Sequence, residues 1–285
     1  MFGLRSDGKR IKSLSGFDKI IPHIMSTRND SENLFKYEMD CEKLDKFIEE
    51  EREKGNSINY MHFLISAVVR TIALRPKLNR FVMNGRIFKR NDICVSFVVK
   101  RSLKDDAQET TVKLHFDGTE NIYEVKEKID EAISKNNFTE SENSTDRFAG
   151  IIRRMPNFFA KFLVGTLKFL DKHGMLPKAI IDLSPFHTSF FITNLKSIKT
   201  DYIYHHLYNF GNTGIFMAMG KESKKPVVNK KNEIEIRKIM TLGLVTDERF
   251  CDGFYFANSL RYLKRICDNP SVLLEKLDKK VEDIE

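Results

Sequence analysis

The stretch Asp247-Glu248-Arg249-Phe250-Cys251-Asp252-Gly253 places three carboxylates and a guanidinium within seven positions. It stands where an apolar, strand-like run ending in Leu244-Val245-Thr246 gives way to an amphipathic stretch from Phe254 to Cys267. Charged groups gathered at such a junction suit two kinds of work. One is proton transfer by a carboxylate whose surroundings make it a stronger base. The other is structural, with an acid at a helix N-terminus and an arginine in an ion pair. His205 and His206 form a second concentration of ionisable side chains. Adjacent histidines suggest a metal pair, but no third ligand stands at a recognisable spacing, so no metal is expected. In a strand or turn their rings should point opposite ways, leaving at most one to face a given surface. His187 reads as a packing or capping residue. His23, His62, His115 and His173 have no motif around them and read as structural or solvent-facing.

Several familiar chemistries lack their motifs. A serine hydrolase needs a G-x-S-x-G elbow, and a dinucleotide site needs G-x-G-x-x-G after a strand; neither is present, nor is a phosphate-binding loop.

The elements that must position the junction can be read from periodicity. Asn33–Asp40 reads as a strand, and Cys41–Gly55 as a helix stopped by its glycine. Asn59–Asn79 is a helix apolar on most faces, ended by Pro76. Asn84-Gly85 between two β-rich runs predicts a hairpin. Strands follow at Asp92–Lys100 and Thr110–Phe116, then an amphipathic helix over Asn121–Asn136, and a loop over 137–149. One or two helices around Pro156 carry an apolar face with lysines, read as core or a subunit contact. The last third returns to strands at Thr188–Leu195, Thr213–Gly220 and Glu233–Thr246, and closes with the helix Phe254–Cys267. The lysine-rich Lys221–Glu233 reads as a solvated loop around a β-turn.

Bulk properties narrow the class. The 285 residues are 41% hydrophobic and include 23 Phe, enough for a large core. No uninterrupted apolar run is long enough to span a bilayer, and the polar, basic start lacks the apolar centre of a secretory signal. The four scattered cysteines point to reduced thiols and a cytoplasmic setting. The net charge of +8 is dispersed among acids, so no nucleic-acid footprint is expected. These features give a single α/β domain over 31–285, preceded by an N-terminal arm over 1–30.

The order of these elements and several short motifs resemble one family. It comprises the catalytic domain of the 2-oxo-acid dehydrogenase dihydrolipoyl acyltransferases together with chloramphenicol acetyltransferase. The opening stretch is similar to that family's D-H-R-x-x-D-G. Ser189-Phe190-Phe191-Ile192-Thr193-Asn194-Leu195 is similar to F-T-I-S-N-L-G, and Pro76-Lys77-Leu78-Asn79 to P-x-L-N. The motifs are collinear over about residues 15–277. The resemblance implies a chloramphenicol acetyltransferase-like two-layer sandwich, a mixed sheet covered by helices, assembled as a homotrimer. It implies acyl transfer from a coenzyme A thioester to a small-molecule acceptor at a site shared between subunits. It also leaves no room in this chain for the lipoyl and subunit-binding segments of the multidomain members.

In that family a histidine acts as general base and a serine hydroxyl binds the oxyanion. By the resemblance, Thr193 takes the oxyanion position, while Asp252, Arg249 and Gly253 keep their structural places. The histidine is replaced by Glu248, and a free glutamate is a base weaker than imidazole by about two pKa units. His205 and His206, on the loop after the Thr193 strand, are alternative bases. Two functions follow: an acyltransferase using Glu248, or a non-catalytic relative that binds a thioester or serves as a scaffold or regulatory subunit.

Overall fold

The first described residues are tied into the fold at once in the computed structural model, which describes residues 5–100, 109–138 and 155–285. Strand β1 (Gly8–Arg10) leads to helix α1 (Gly16–Ile24), whose N-terminus is capped by the Ser15 hydroxyl accepting from the Asp18 N–H. Then come β2 (Glu32–Asp40), α2 (Glu42–Glu53), α3 (Tyr60–Leu74), β3 (Arg80–Met83), β4 (Arg86–Arg90), β5 (Ile93–Lys100), β6 (Glu109–Phe116) and α4 (Ile122–Phe138). Helices α5 (Asn157–Lys172) and α6 (Lys178–Leu183) precede β7 (Phe190–Asn194). The chain then runs through β8 (Ile215–Val228), β9 (Ile234–Asp247) and α7 (Gly253–Asp268).

Local chemistry accounts for the boundaries. The Asn59 side chain accepts from the Met61 and His62 N–H groups and starts α3; Pro76 cannot continue it. Asn84 and Gly85 both have positive φ, 50° and 67°, as a tight hairpin between β3 and β4 requires.

Six strands form the main sheet in the order β2-β9-β8-β7-β5-β6. The pairs β7–β8 and β5–β7 are parallel and the others antiparallel, so the sheet is mixed. One face is covered by α2, α3, α4 and α7, whose Leu44, Phe63, Ile129 and Phe256 join Phe97, Ile192, Met217 and Leu242 of the sheet in a continuous core. Helix α3 is buried along most of its length, as its all-round apolarity predicts. The expected two-layer sandwich is therefore observed. A small sheet, β1-β4-β3, stands beside it.

Several expectations need adjustment. Lys221–Val228 is not loop but the outer half of β8, paired with β9 from Val228↔Ile234 inward. Alternation explains the misreading: Lys221, Lys224 and Val228 are exposed along an edge whose backbone is nonetheless paired. The predicted loop over 137–149 lies, from 139 onward, outside the described residues. The described part of the region around Pro156 is one helix, α5, whose Phe158, Phe159, Phe162 and Phe169 are exposed in the single chain. Within the proposed N-terminal arm, residues 8–31 supply β1 and α1, with β1 hydrogen-bonded to β4. The short helix α6 was not anticipated.

Buried ion pairs hold distant segments together. Arg5 bridges Asp7 and Asp171, each at 2.8 Å, tying the first described residue to α5. His187 bonds the Ser184 hydroxyl through Nδ1 (2.8 Å), and its Nε2 lies 3.1 Å from Asp171 off the hydrogen-bonding direction. It is a packing residue, as read from sequence. Arg80, 3% exposed, holds Asp283 through two 2.6 Å bonds and so pins the C-terminal segment against β3. Asp283→Ala would strand that guanidinium and should cost about 3–5 kcal/mol. The urea midpoint measures it; a change below ~1 kcal/mol would show the clamp to be solvated.

Candidate functional site

Strand β9 delivers the charged junction to the edge of the sheet. Asp247 is its last residue, 1% exposed, and its N–H donates to Gly214 O (3.0 Å). The Asp247 carboxylate receives Arg249 Nε at 2.8 Å and Nη2 at 2.7 Å, the Arg249 N–H at 3.1 Å and the Ser31 hydroxyl at 3.1 Å. Arg249 also reaches the Met25 and Ser26 carbonyls. The loop is thus closed by a buried bidentate pair two residues apart. The resemblance gave Asp252 and Arg249 structural places; here Arg249 pairs with Asp247. Asp252 instead caps α7, its carboxylate accepting from the Tyr255 N–H at 2.8 Å.

Glu248 lies between these anchors and is exposed. Its N–H donates to Ser31 O (2.9 Å), which fixes the backbone. Among the described residues its carboxylate makes no ion pair or hydrogen bond. Gly253 has room around it: an added Cβ would meet nothing within 4 Å. The glycine is not required by this chain's own packing. Phe254, next to it, is 79% exposed.

Thr193 lies on the sheet face opposite the helices, sharing that face with Phe191 two residues earlier. Its hydroxyl makes no hydrogen bond among the described residues. Register places it far from Glu248 within one chain. Thr193 pairs with Ala218 and Ala218 with Gly243, while Glu248 lies five residues further along β9 (243 to 248). That is about 17 Å along the strands and about 10 Å across two of them, roughly 20 Å in all. No single copy brings these two groups together.

Residues 201–206 cross this same face. A Cβ on Gly220 would lie 2.6 Å from Tyr202 N, and one on Gly243 2.0 Å from Ile203 O. The segment therefore rests on two glycines. His205 lies flat on Phe216, with centroids 3.9 Å apart and planes at 5°, and it also stacks on His206 at 4.8 Å. The expectation that the two rings point opposite ways fails because the segment is neither strand nor tight turn. Burial lowers the His205 pKa, and His206 is exposed. His205 is close to Thr193 in register, since Phe216 sits two residues from Ala218.

A cleft of about 460 Å³ opens beside the charged loop, lined by His23, Arg28, Lys168, Asp171, Lys172 and Arg249 among others. Arg28 is 5% exposed and pairs with no carboxylate among the described residues. Its guanidinium donates to the Tyr208, Asn209 and Val82 carbonyls at 3.3–3.4 Å. Burial drags its pKa down to about 10, leaving it cationic at neutral pH.

Sequence reasoning missed Arg28, Ser31 and the central role of Asp247. It also passed over Gly220 and Gly243, although glycines inside Met217–Lys221 and Thr241–Val245 signal close backbone approach.

Three substitutions separate these roles. Asp247→Asn should cost about 3 kcal/mol by leaving Arg249 buried without its counter-charge. Asp252→Ala should cost about 1 kcal/mol through the lost cap. Glu248→Gln should stay within ~0.5 kcal/mol, as an exposed residue without partners. Denaturant unfolding of the three proteins checks the order; a large loss in Glu248→Gln would contradict its freedom.

Comparison with known proteins agrees with this architecture. Residues 186–275 match the family model for 2-oxoacid dehydrogenases acyltransferase (catalytic domain). No curated protein matches the sequence. Among solved structures, a probable dihydrolipoamide acetyltransferase from Listeria monocytogenes superposes with TM-score 0.59 at 17% identity, over 96% of this chain and 99% of that one. The cubic core of a pyruvate dehydrogenase multienzyme complex gives 0.60 at 13%, over 93% and 94%. A chloramphenicol acetyltransferase gives 0.53 at 11%, over 91% and 99%. At these identities the likeness is one of fold. Over residues 186–275 the chain carries the sequence pattern of the 2-oxo-acid dehydrogenase acyltransferase catalytic domain, and as a whole it has the chloramphenicol acetyltransferase-like fold of that family.

Proposed function

We propose that the protein transfers an acyl group from a coenzyme A-type thioester to a small thiol, hydroxyl or amine acceptor. The site is completed by Glu248 of one copy and Thr193 of another in a homotrimer. The observation that carries this reading is the separation of roughly 20 Å between the two residues within a chain, together with their unsatisfied side chains. Glu248 takes the acceptor's proton as the acceptor attacks the thioester carbonyl. The Thr193 hydroxyl donates to the oxyanion so formed. Collapse expels the coenzyme A thiolate, and the proton held on Glu248 passes to it. A second copy packed over the loop would strip water from the carboxylate and strengthen it as a base.

The basic cleft supports an anionic donor: Arg28, Lys168 and Lys172 would face the coenzyme's phosphates. The uncovered phenylalanines of α5 fit a subunit contact. Free, buried cysteines fit a cytoplasmic setting. The alternative is a non-catalytic relative that binds a thioester or acts as a scaffold or regulatory subunit. It is disfavoured by the exposed Glu248 carboxylate, which has no partner among the described residues.

A panel of acyl-CoA donors with thiol, amine and hydroxyl acceptors tests the reading. Glu248→Gln should lower kcat about 10²–10⁴-fold, and Glu248→His should recover activity. Thr193→Val should lower kcat about 10²-fold, with Thr193→Ser active. Reassembling mixed Glu248→Gln and Thr193→Val subunits should restore part of the activity, because some interfaces then hold both intact residues. Thioester binding without turnover in native protein would favour the non-catalytic reading, and a monomer by light scattering would remove the shared site. Separately, Lys168→Gln/Lys172→Gln should raise KM for the thioester several-fold at unchanged kcat. An unaltered KM would detach the cleft from donor binding.

A further inference from the structure

We propose that Asp92, Cys94 and His115 bind one zinc-type divalent cation, which clips the edge strand β6 to β5. The three side chains converge outside the site described above. Cys94 on β5 and His115 on β6 are direct cross-strand partners, and Asp92 ends the turn entering β5. Their donor atoms all lie within 4.8 Å of one another; among the described residues this is the one such group.

The spacing is that of ligands already gathered around a metal. Cys94 Sγ is 3.4 Å from His115 Nδ1 and 3.4 Å from Asp92 Oδ1. With metal–sulfur and metal–nitrogen bonds of about 2.3 and 2.0 Å, a tetrahedral edge spans about 3.5 Å. The remaining edge is now a hydrogen bond, His115 Nδ1 to Asp92 Oδ2 at 2.5 Å. Metal entry exchanges it for bonds from Nδ1 and Oδ1 and releases to solvent the thiol proton and the proton on Nδ1. The cation takes the place of both.

The donor set selects the ion. Thiolate and imidazole favour zinc or cobalt over magnesium or calcium, and one thiolate with one carboxylate neutralises a divalent charge. An entry path exists. Cys94 lies at the floor, 4% exposed, while the Asp92 and His115 side chains are 36% and 46% exposed at the mouth. Nearby cations are engaged elsewhere: Arg90 donates to Thr188 O and to Asn212, Lys113 to Ile181 O, and Lys128 to Glu120 and His115 O. Water would complete the fourth position. The sequence shows no metal motif because the ligands are two and twenty-one residues apart, brought together by strand register alone.

Titrating untagged, metal-stripped protein with Co²⁺, and separately with Zn²⁺, tests the proposal. One equivalent should bind, Co²⁺ should give a thiolate charge-transfer band, and Zn²⁺ should raise Tm. Cys94→Ser should abolish the band, and His115→Gln and Asp92→Asn should each weaken binding at least about tenfold. Should Cys94→Ser misfold, the two exposed-ligand variants still decide. Absence of stoichiometric binding, or affinities in His115→Gln and Asp92→Asn equal to the native protein's, would overturn it.

Discussion

The Asp247–Arg249 pair is the constraint on which the rest of the junction depends. Two charged groups buried almost completely must neutralise each other, and the bidentate geometry with an added serine hydroxyl meets that demand. Because the partners are two residues apart, their bonding bends the chain sharply and leaves the intervening Glu248 nowhere to turn but outward. The outward presentation of this position is therefore set by a device independent of which residue stands there.

The same pair links three parts of the molecule. Arg249 reaches the carbonyls after α1, Asp247 receives Ser31 at the entry to β2, and Asp252 then starts α7. The N-terminal segment, strand β9 and the last helix are thus referenced to one loop. Its outer neighbour is the cleft lined by Arg28 and the α5 lysines, so a positive field stands beside the exposed carboxylate.

Much of this was legible in the sequence. The apolar surface of α3, the Asn84-Gly85 hairpin and the strand–loop–helix junction are local signals with local causes, and each formed as read. The collinear motifs supplied the topology that periodicity cannot. What escaped detection depends on register or on long-range charge pairing. Lys221–Val228 looks like a solvated loop because its pairing is with residues whose own exposure hides the strand. Asp247 could not be assigned Arg249 in preference to Asp252, since three acids surround one arginine in the sequence and only burial distinguishes them. The stacking of His205 on Phe216 is equally invisible without knowing that the intervening segment doubles back over the sheet.

That doubling back has its own implication. Residues 201–206 approach Gly220 and Gly243 most closely through main-chain atoms, Tyr202 N and Ile203 O, with the Tyr202 ring beside Gly243 and His205 laid on Phe216. A path held in this way by backbone against bare glycines makes few demands on the side chains that point away from the sheet. Ile203 and Tyr204, both exposed, can therefore drift in sequence while their course over the sheet persists. The two glycines behave as a rail, and the side chains carried along it form the part of this surface most free to be re-tuned toward a different molecule.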